Sequence, residues 1–119
     1  MQVNVLGTPY EIIVKKYDED EAFARRLIDG YCDGFIRKIV VCDLTSKEDW
    51  KHEEKATIDV CQKQILRHEI VHAFLNESGL QANAHDNNNT SWAYNEEMVD
   101  WIALQGEKIY KAWQEVNAL

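Results

Sequence analysis

The chain has 119 residues, 45% apolar and 29% charged, with one proline, five glycines and a formal net charge of −8. That length and balance suit one α+β domain over residues 1–119 that buries well over half of its unfolded surface without disulfides, and they exclude a disordered chain. Thirteen basic against twenty-one acidic residues would repel a polyanion, so no nucleic-acid partner is expected.

Met1 to Leu6 carries neither a basic segment nor a long apolar one, and the longest wholly aliphatic or Cys run is Ile39 to Cys42. No export signal and no membrane span are expected, which points to a cytoplasmic protein. Val3 to Leu6 and Tyr10 to Val14 are β-rich and separated by Gly7-Thr8-Pro9, a pattern for a hairpin at a sheet edge. From Glu19 to Asp29, the spacing of Ala22, Phe23, Ala24, Leu27 and Ile28 predicts an amphipathic helix, with Asp18 as N-cap and Gly30 at the stop.

Asp33-Gly34 then divides Tyr31-Cys32 from Phe35-Ile36, the strongest short hairpin signal in the chain, and the second strand continues through Ile39 to Cys42. Thr45 and Glu48 have the spacing of a capping box, which predicts a helix from about Ser46. Lys47 to Ala56 is highly charged and reads as a solvated face, leaving His52 without a role. A break is expected near Thr57, before a second helix that ends at about Ser78 with Gly79 at C′ and Leu80 at C″.

Gln81 to Ser91 is polar and Asn-rich, a loop. From about Asn95, a possible cap, Val99, Ile102, Gly106, Ile109, Trp113 and Val116 repeat at helical spacing and predict a C-terminal amphipathic helix with one apolar face. Cys32, Cys42 and Cys61 are an odd set without a CxxC pair, and read as reduced, mostly buried thiols. Trp92, Trp101 and Trp113 read as core or rim packing.

His68-Glu69-Ile70-Val71-His72 is the stretch that carries chemistry. On a helix, residues four apart differ by about 40° in azimuth and roughly 6 Å in height, so both imidazoles leave one face and can grip one metal ion. Glu69 lies about 100° round from His68, within reach of a water beside that ion. Ile58, Cys61, Ile65, His68, His72 and Leu75 form one stripe expected to be buried, where two stacked imidazoles are most simply satisfied by a shared metal. The bland alternative is a pair of core histidines bonded to carboxylates.

A zinc site of this sort needs a third protein ligand. One candidate is Glu96, with Asp100 one turn later as an acceptor for a ligand imidazole N–H; Glu97 competes by proximity, but its i+4 neighbour Trp101 offers no carboxylate. The other is His85. A metzincin pattern fails, because it needs Gly and His where the chain has Leu75 and Ser78.

His68-Glu69-Ile70-Val71-His72 followed by Glu96-Glu97-Met98-Val99-Asp100-Trp101-Ile102-Ala103 resembles the gluzincin pattern, HExxH and then ExxxD on a second helix. It is most similar to the small ImmA/IrrE-type metallopeptidases associated with phages and mobile elements, whose glutamate helix also carries an apolar-Ala pair like Ile102-Ala103. At motif level the likeness covers about the last two thirds of the chain. It implies a minimal zincin-like domain, with a small twisted β-sheet packed on a backing helix, an HExxH active-site helix and a C-terminal glutamate helix. It also implies one zinc ion held by His68, His72 and Glu96, with Glu69 as catalytic base and Asp100 behind a ligand histidine.

The expected activity is hydrolysis of a peptide or protein substrate by a zinc-activated water, in a protein of phage or prophage origin. No helix-turn-helix accompanies the motif, so a regulatory role like that of the larger relatives is not carried over. Tyr94, Tyr110 and His85 are candidates for stabilising an oxyanion. The alternatives are a non-catalytic, metal-stabilised interaction module, a SprT-like site with His85 as third ligand, or an accidental motif.

Overall fold

The structure, a computed structural model, describes residues 1–82, 84 and 91–119. Its first hairpin joins β1 (Gln2–Val5) to β2 (Thr8–Lys16) through Leu6 and Gly7, whose φ angles of 51° and 90° suit the primed two-residue turn. The turn therefore falls before the expected Gly7-Thr8-Pro9, and Thr8 and Pro9 already belong to β2. Hydrogen-bonded pairs alternate outward from Val5 and Thr8 to the Ile12 N–H, which donates to the Met1 carbonyl at 2.7 Å. Pro9, opposite Asn4, thus sits where its missing N–H removes no ladder bond to β1.

β3 (Gly30–Asp33) and β4 (Lys38–Asp43) complete a four-stranded mixed sheet in the order β1-β2-β4-β3. β2 and β4 are parallel, while the two outer pairings are antiparallel. The expected edge pair is therefore an edge strand, β1, beside an interior one, β2. The β3–β4 hairpin forms, but not around a tight Asp33-Gly34 turn. Residues 34–37 make the connection, Asp33 Oδ1 accepts from the Phe35 and Ile36 N–H groups, and the left-handed residue is Arg37. Gly34 matters for space instead, since a Cβ there would collide with the Asn76 side chain.

β4 is buried on both faces, which explains its unbroken apolar run. Ile39 and Val41 join Val5, Tyr10 and Ile12 against Ala73, whereas Val40 and Cys42 meet Phe23 on the opposite face. Phe23 belongs to α1 (Glu21–Arg26) and Ala73 to α2 (Lys55–Glu77), so the sheet lies between these two helices. Burying a side chain such as Phe23 contributes about 1.5–3 kcal/mol.

α1 is shorter than its apolar spacing suggests. β2 runs on to Lys16 and residues Tyr17–Glu19 form a 3-10 turn, so Asp20 rather than Asp18 is the N-cap and accepts from the Ala22 N–H. Leu27, at φ 53°, ends the helix before Gly30, which instead begins β3. The Thr45–Glu48 capping box does not form either, because Asp43 Oδ1 takes both the Thr45 N–H and its hydroxyl. Two short 3-10 turns follow, Leu44–Ser46 and Glu48–Trp50, and α2 then starts at Lys55 and passes through Thr57 unbroken.

The end of α2 is as expected: Ser78 is the C-cap, Gly79 takes φ 86°, and its N–H donates to the Asn76 carbonyl at 3.0 Å. α3 (Glu96–Glu115) starts from Asn95, whose side chain accepts from the Met98 N–H at 2.7 Å. It packs on α2 through its first half, where Val99 and Ala103 are buried; further along, Tyr110, Trp113 and Val116 are exposed. Trp92, Trp101 and Trp113 each keep more than half of their surface exposed, so none is a core residue. All three cysteines are free, with Cys42 buried and Cys32 and Cys61 partly so. No helix among the described residues is long and apolar enough to cross a membrane.

Candidate metal centre

α2 brings the two histidines to one side, as the i, i+4 spacing requires, and α3 crosses beside them. The crossing is fixed by Arg67, whose Nε donates to the Ala103 carbonyl at 2.7 Å. The Asn95 cap places Glu96 at the first position of α3, with Asp100 one turn later on the same side. Between the helices, His68 Nε2 and His72 Nε2 lie 3.0 Å apart, and the Glu96 carboxylate stands 2.9 Å from the first and 3.1 Å from the second. Both imidazoles are mostly buried while Glu96 is about half exposed, so the triangle opens toward solvent on the glutamate side.

The dimensions test whether these atoms fit a cation. Bonds of about 2.0–2.1 Å in a tetrahedron need donor atoms roughly 3.3 Å apart, and through Glu96 Oε2 the observed edges are 2.9, 3.0 and 3.3 Å. The protonation pattern fits as well. His68 Nδ1 meets Asp100 Oδ1 at 2.7 Å, which assigns the ring proton to Nδ1 and turns the Nε2 lone pair toward His72 and Glu96. Two imidazole nitrogens and a carboxylate are a donor set that a small divalent cation can take.

His68, Glu69 and His72 also place one ligand-type atom each within 4.8 Å of one another, a group that could itself hold a metal ion. The Glu96 carboxylate is nearer to both nitrogens than that spacing, and it is the better third donor. Glu69 is set back against the sheet. It is 6% exposed, and its Cγ and Oε1 would lie 3.1 Å from a Cβ added at Gly30. Only a glycine in β3 leaves the carboxylate undisturbed.

Burial pushes the Glu69 carboxyl up to about 7; the neighbouring His68 opposes that, and Glu96 adds to it. A bound cation would draw it down again. Burial lowers His72 while the facing Glu96 carboxylate works against the shift. Cys32 lies in the same region, and burial first, then Glu69, pushes its thiol up to about 12, so it stays protonated.

The site opens into a cleft of about 420 Å³ between α2, α3 and the β3 edge. Tyr94 lines this cleft and Tyr110 does not. His85, the other candidate ligand, lies outside the described residues. No family model, curated protein or solved structure matches the chain.

The HExxH phase and the Glu96/Asp100 pair bring together His68, Glu69, His72, Glu96 and Asp100, while Glu97, the rival ligand, lines a separate pocket beside Trp101. What sequence reasoning missed is the wall opposite: Gly30, Tyr31 and, at the end of α1, Arg26. Gly30 reads locally as a helix stop, and no spacing rule links it to Glu69. Only the non-local packing of β3 on α2 reveals the contact.

Proposed function

We propose that the protein is a zinc-dependent peptidase with a gluzincin-like site, nearest in kind to the small ImmA/IrrE-type enzymes of phages and mobile elements. One observation carries this reading: two imidazole nitrogens from α2 and a carboxylate from α3 converge to 2.9–3.1 Å, with Asp100 behind one ring and Glu69 buried beside the other wall. His68, His72 and Glu96 are the ligands, and the N,N,O donor set with room for solvent suits catalytic zinc. When bound, zinc supplies a Lewis acid for a carbonyl oxygen and lowers the pKa of water to about 7.

The chain's own residues do the rest. Glu69 takes a proton from the attacking water and returns it to the leaving amine, a role that suits a buried carboxyl. Asp100 holds His68 in the tautomer that exposes Nε2. Tyr94 offers an O–H at the cleft wall for the developing oxyanion.

A peptide is the substrate class favoured by the sheet edge. The Cys42 N–H donates to the Asp29 carbonyl at 2.8 Å, and alternation from that pair turns the backbone groups of Gly30 and Cys32 away from β4. These groups border the cleft, where an extended substrate can add as a further strand. The test compares the parent with Glu69→Gln for zinc content and for cleavage of a peptide library. Both should bind one zinc, and the variant should lose cleavage by at least about 100-fold. A parent without zinc, or a variant as active as the parent, overturns the proposal.

A further inference from the structure

We propose that Arg26 is a carboxylate-binding residue of the cleft, so that the site selects peptides presenting a carboxylate close to the bond to be cut; the inference rests on the peptide-binding reading above. Arg26 is the sole lysine or arginine among the described residues lining the cleft, whose other charged walls are Asp29, Glu69, Glu96 and Asp100. Asp29 is already held by Lys47 at 2.5 Å. Seven of the thirteen basic residues stand beside a carboxylate among the described residues, Lys15, Arg37, Lys38 and Lys47 among them. Arg26 forms no ion pair among the described residues.

Its guanidinium instead rests over the Tyr31 ring, 5.8 Å from the centroid. That ring is itself anchored. The Tyr31 hydroxyl donates to Asp20 Oδ2 at 2.6 Å, Lys15 Nζ donates to the same oxygen at 3.0 Å, and Asp20 Oδ1 caps α1 by accepting the Ala22 N–H at 3.0 Å. One carboxylate thus fixes both the helix that carries Arg26 and the ring beneath it. A guanidinium held over a ring face by its charge can still offer its N–H fork to a carboxylate through two parallel hydrogen bonds.

The position relative to the metal centre follows from β3. Tyr31 faces α1 and Cys32 faces α2. An extended peptide paired with this edge alternates its side chains between the same two sides. Groups on one side meet the histidines, and their sequence neighbours meet Arg26. A side-chain carboxylate of Asp or Glu and a terminal carboxylate offer the same chemistry there.

The experiment measures binding, by calorimetry, of sequence-matched peptides to the zinc-supplemented protein, with cleavage of the same peptides followed by mass spectrometry. One series sets Asp and Glu against Asn and Gln; a second sets a free C-terminus against its amide. The parent should bind one carboxylate series at least about ten-fold more tightly than its amide match, and the series that shows this identifies the source. Arg26→Gln should lose that preference while keeping zinc content and affinity for neutral peptides, and Arg26→Lys should keep part of it.

Equal binding of carboxylate and amide peptides, no binding of any peptide, or a preference that survives in Arg26→Gln overturns the proposal. In the last case the metal itself takes the carboxylate. Cleavage without the preference removes Arg26 from the site and leaves the peptidase reading standing. Preference without cleavage supports Arg26 and overturns that reading.

Discussion

Two polar clusters lie one turn apart on α2, and they differ in the kinds of atom they bring together. In the first, Glu77 receives the Thr8 hydroxyl at 2.5 Å and the Tyr10 hydroxyl at 2.9 Å, Asn76 donates to Tyr10 at 3.0 Å, and Arg37 approaches at 3.8 Å. Both Glu77 oxygens and the Tyr10 hydroxyl there have a donor. In the second, His68 and His72 bring two ring nitrogens to one point beside the Glu96 carboxylate, the donor types that hold a metal cation. The first cluster fastens α2 to the β1–β2 hairpin, while the second has the donor set of a cation site. The same helix carries a fastener and a receptor, and substitutions should separate them.

The largest separation is expected from His72→Ala. Zinc at about a thousand times its Kd should stabilise the parent by roughly 4 kcal/mol, because it binds the folded chain alone. His72→Ala should lose nearly all of that stabilisation in thermal melts with and without zinc. Tyr10→Phe should retain it. If His72→Ala melts with the parent's zinc shift, the cluster is not the metal site.

Gly30→Ala comes next and acts on the base rather than the ligands. The added methyl would meet Ile65 Cγ2 at 3.0 Å and Glu69 at 3.1 Å, so the carboxylate must shift by a few tenths of an ångström or more. Zinc content should stay at the parent level while cleavage falls about 10- to 100-fold, since catalysis is sensitive to small misplacements. Asp100→Asn should show the opposite pattern, weakening zinc binding by about 10- to 100-fold through the loss of its hold on His68 Nδ1. Metal titration beside a cleavage assay tells the two apart.

How far these elements are legible in the sequence depends on how local their causes are. The HExxH phase, the Gly79 stop, the Asn95 cap and the Ile39 to Cys42 strand each follow from residues within a turn or two, and each appears where the pattern puts it. Where two local signals compete, the pattern misleads: Asp43 captures Thr45 and removes the helix start expected at Ser46, and Asp20 supplants Asp18 as cap. Asp33-Gly34 bends through the Asp33 side chain instead of a primed turn, and Gly34 instead leaves room for the Asn76 side chain. The parallel pairing of β2 with β4 has no local signature at all. It decides that β3 is the edge, and therefore that Gly30 and Tyr31 border the site.

The fastener gives the two smaller effects. Tyr10→Phe removes a buried hydroxyl that joins Asn76 to Glu77, and about 1 kcal/mol should be lost, lowering Tm by roughly 3–6 °C with zinc binding unchanged. The smallest effect is a pH dependence. Hydrogen bonds from Thr8 and Tyr10 hold the Glu77 carboxyl below its ordinary value of 4.5. A depressed pKa in the folded state means that the unfolded chain binds the proton more readily, so the stabilisation is complete above about pH 4.5 and fades as pH falls toward the folded value. Thermal melts of the metal-free protein between neutral pH and pH 3 should therefore show a loss that is shallower in Glu77→Gln, while His72→Ala keeps the parent's slope in that window as far as Glu77 sets it. An unchanged slope in Glu77→Gln would mean that this carboxylate is solvated rather than fastened, and the contrast between the two clusters would then rest on the metal site alone.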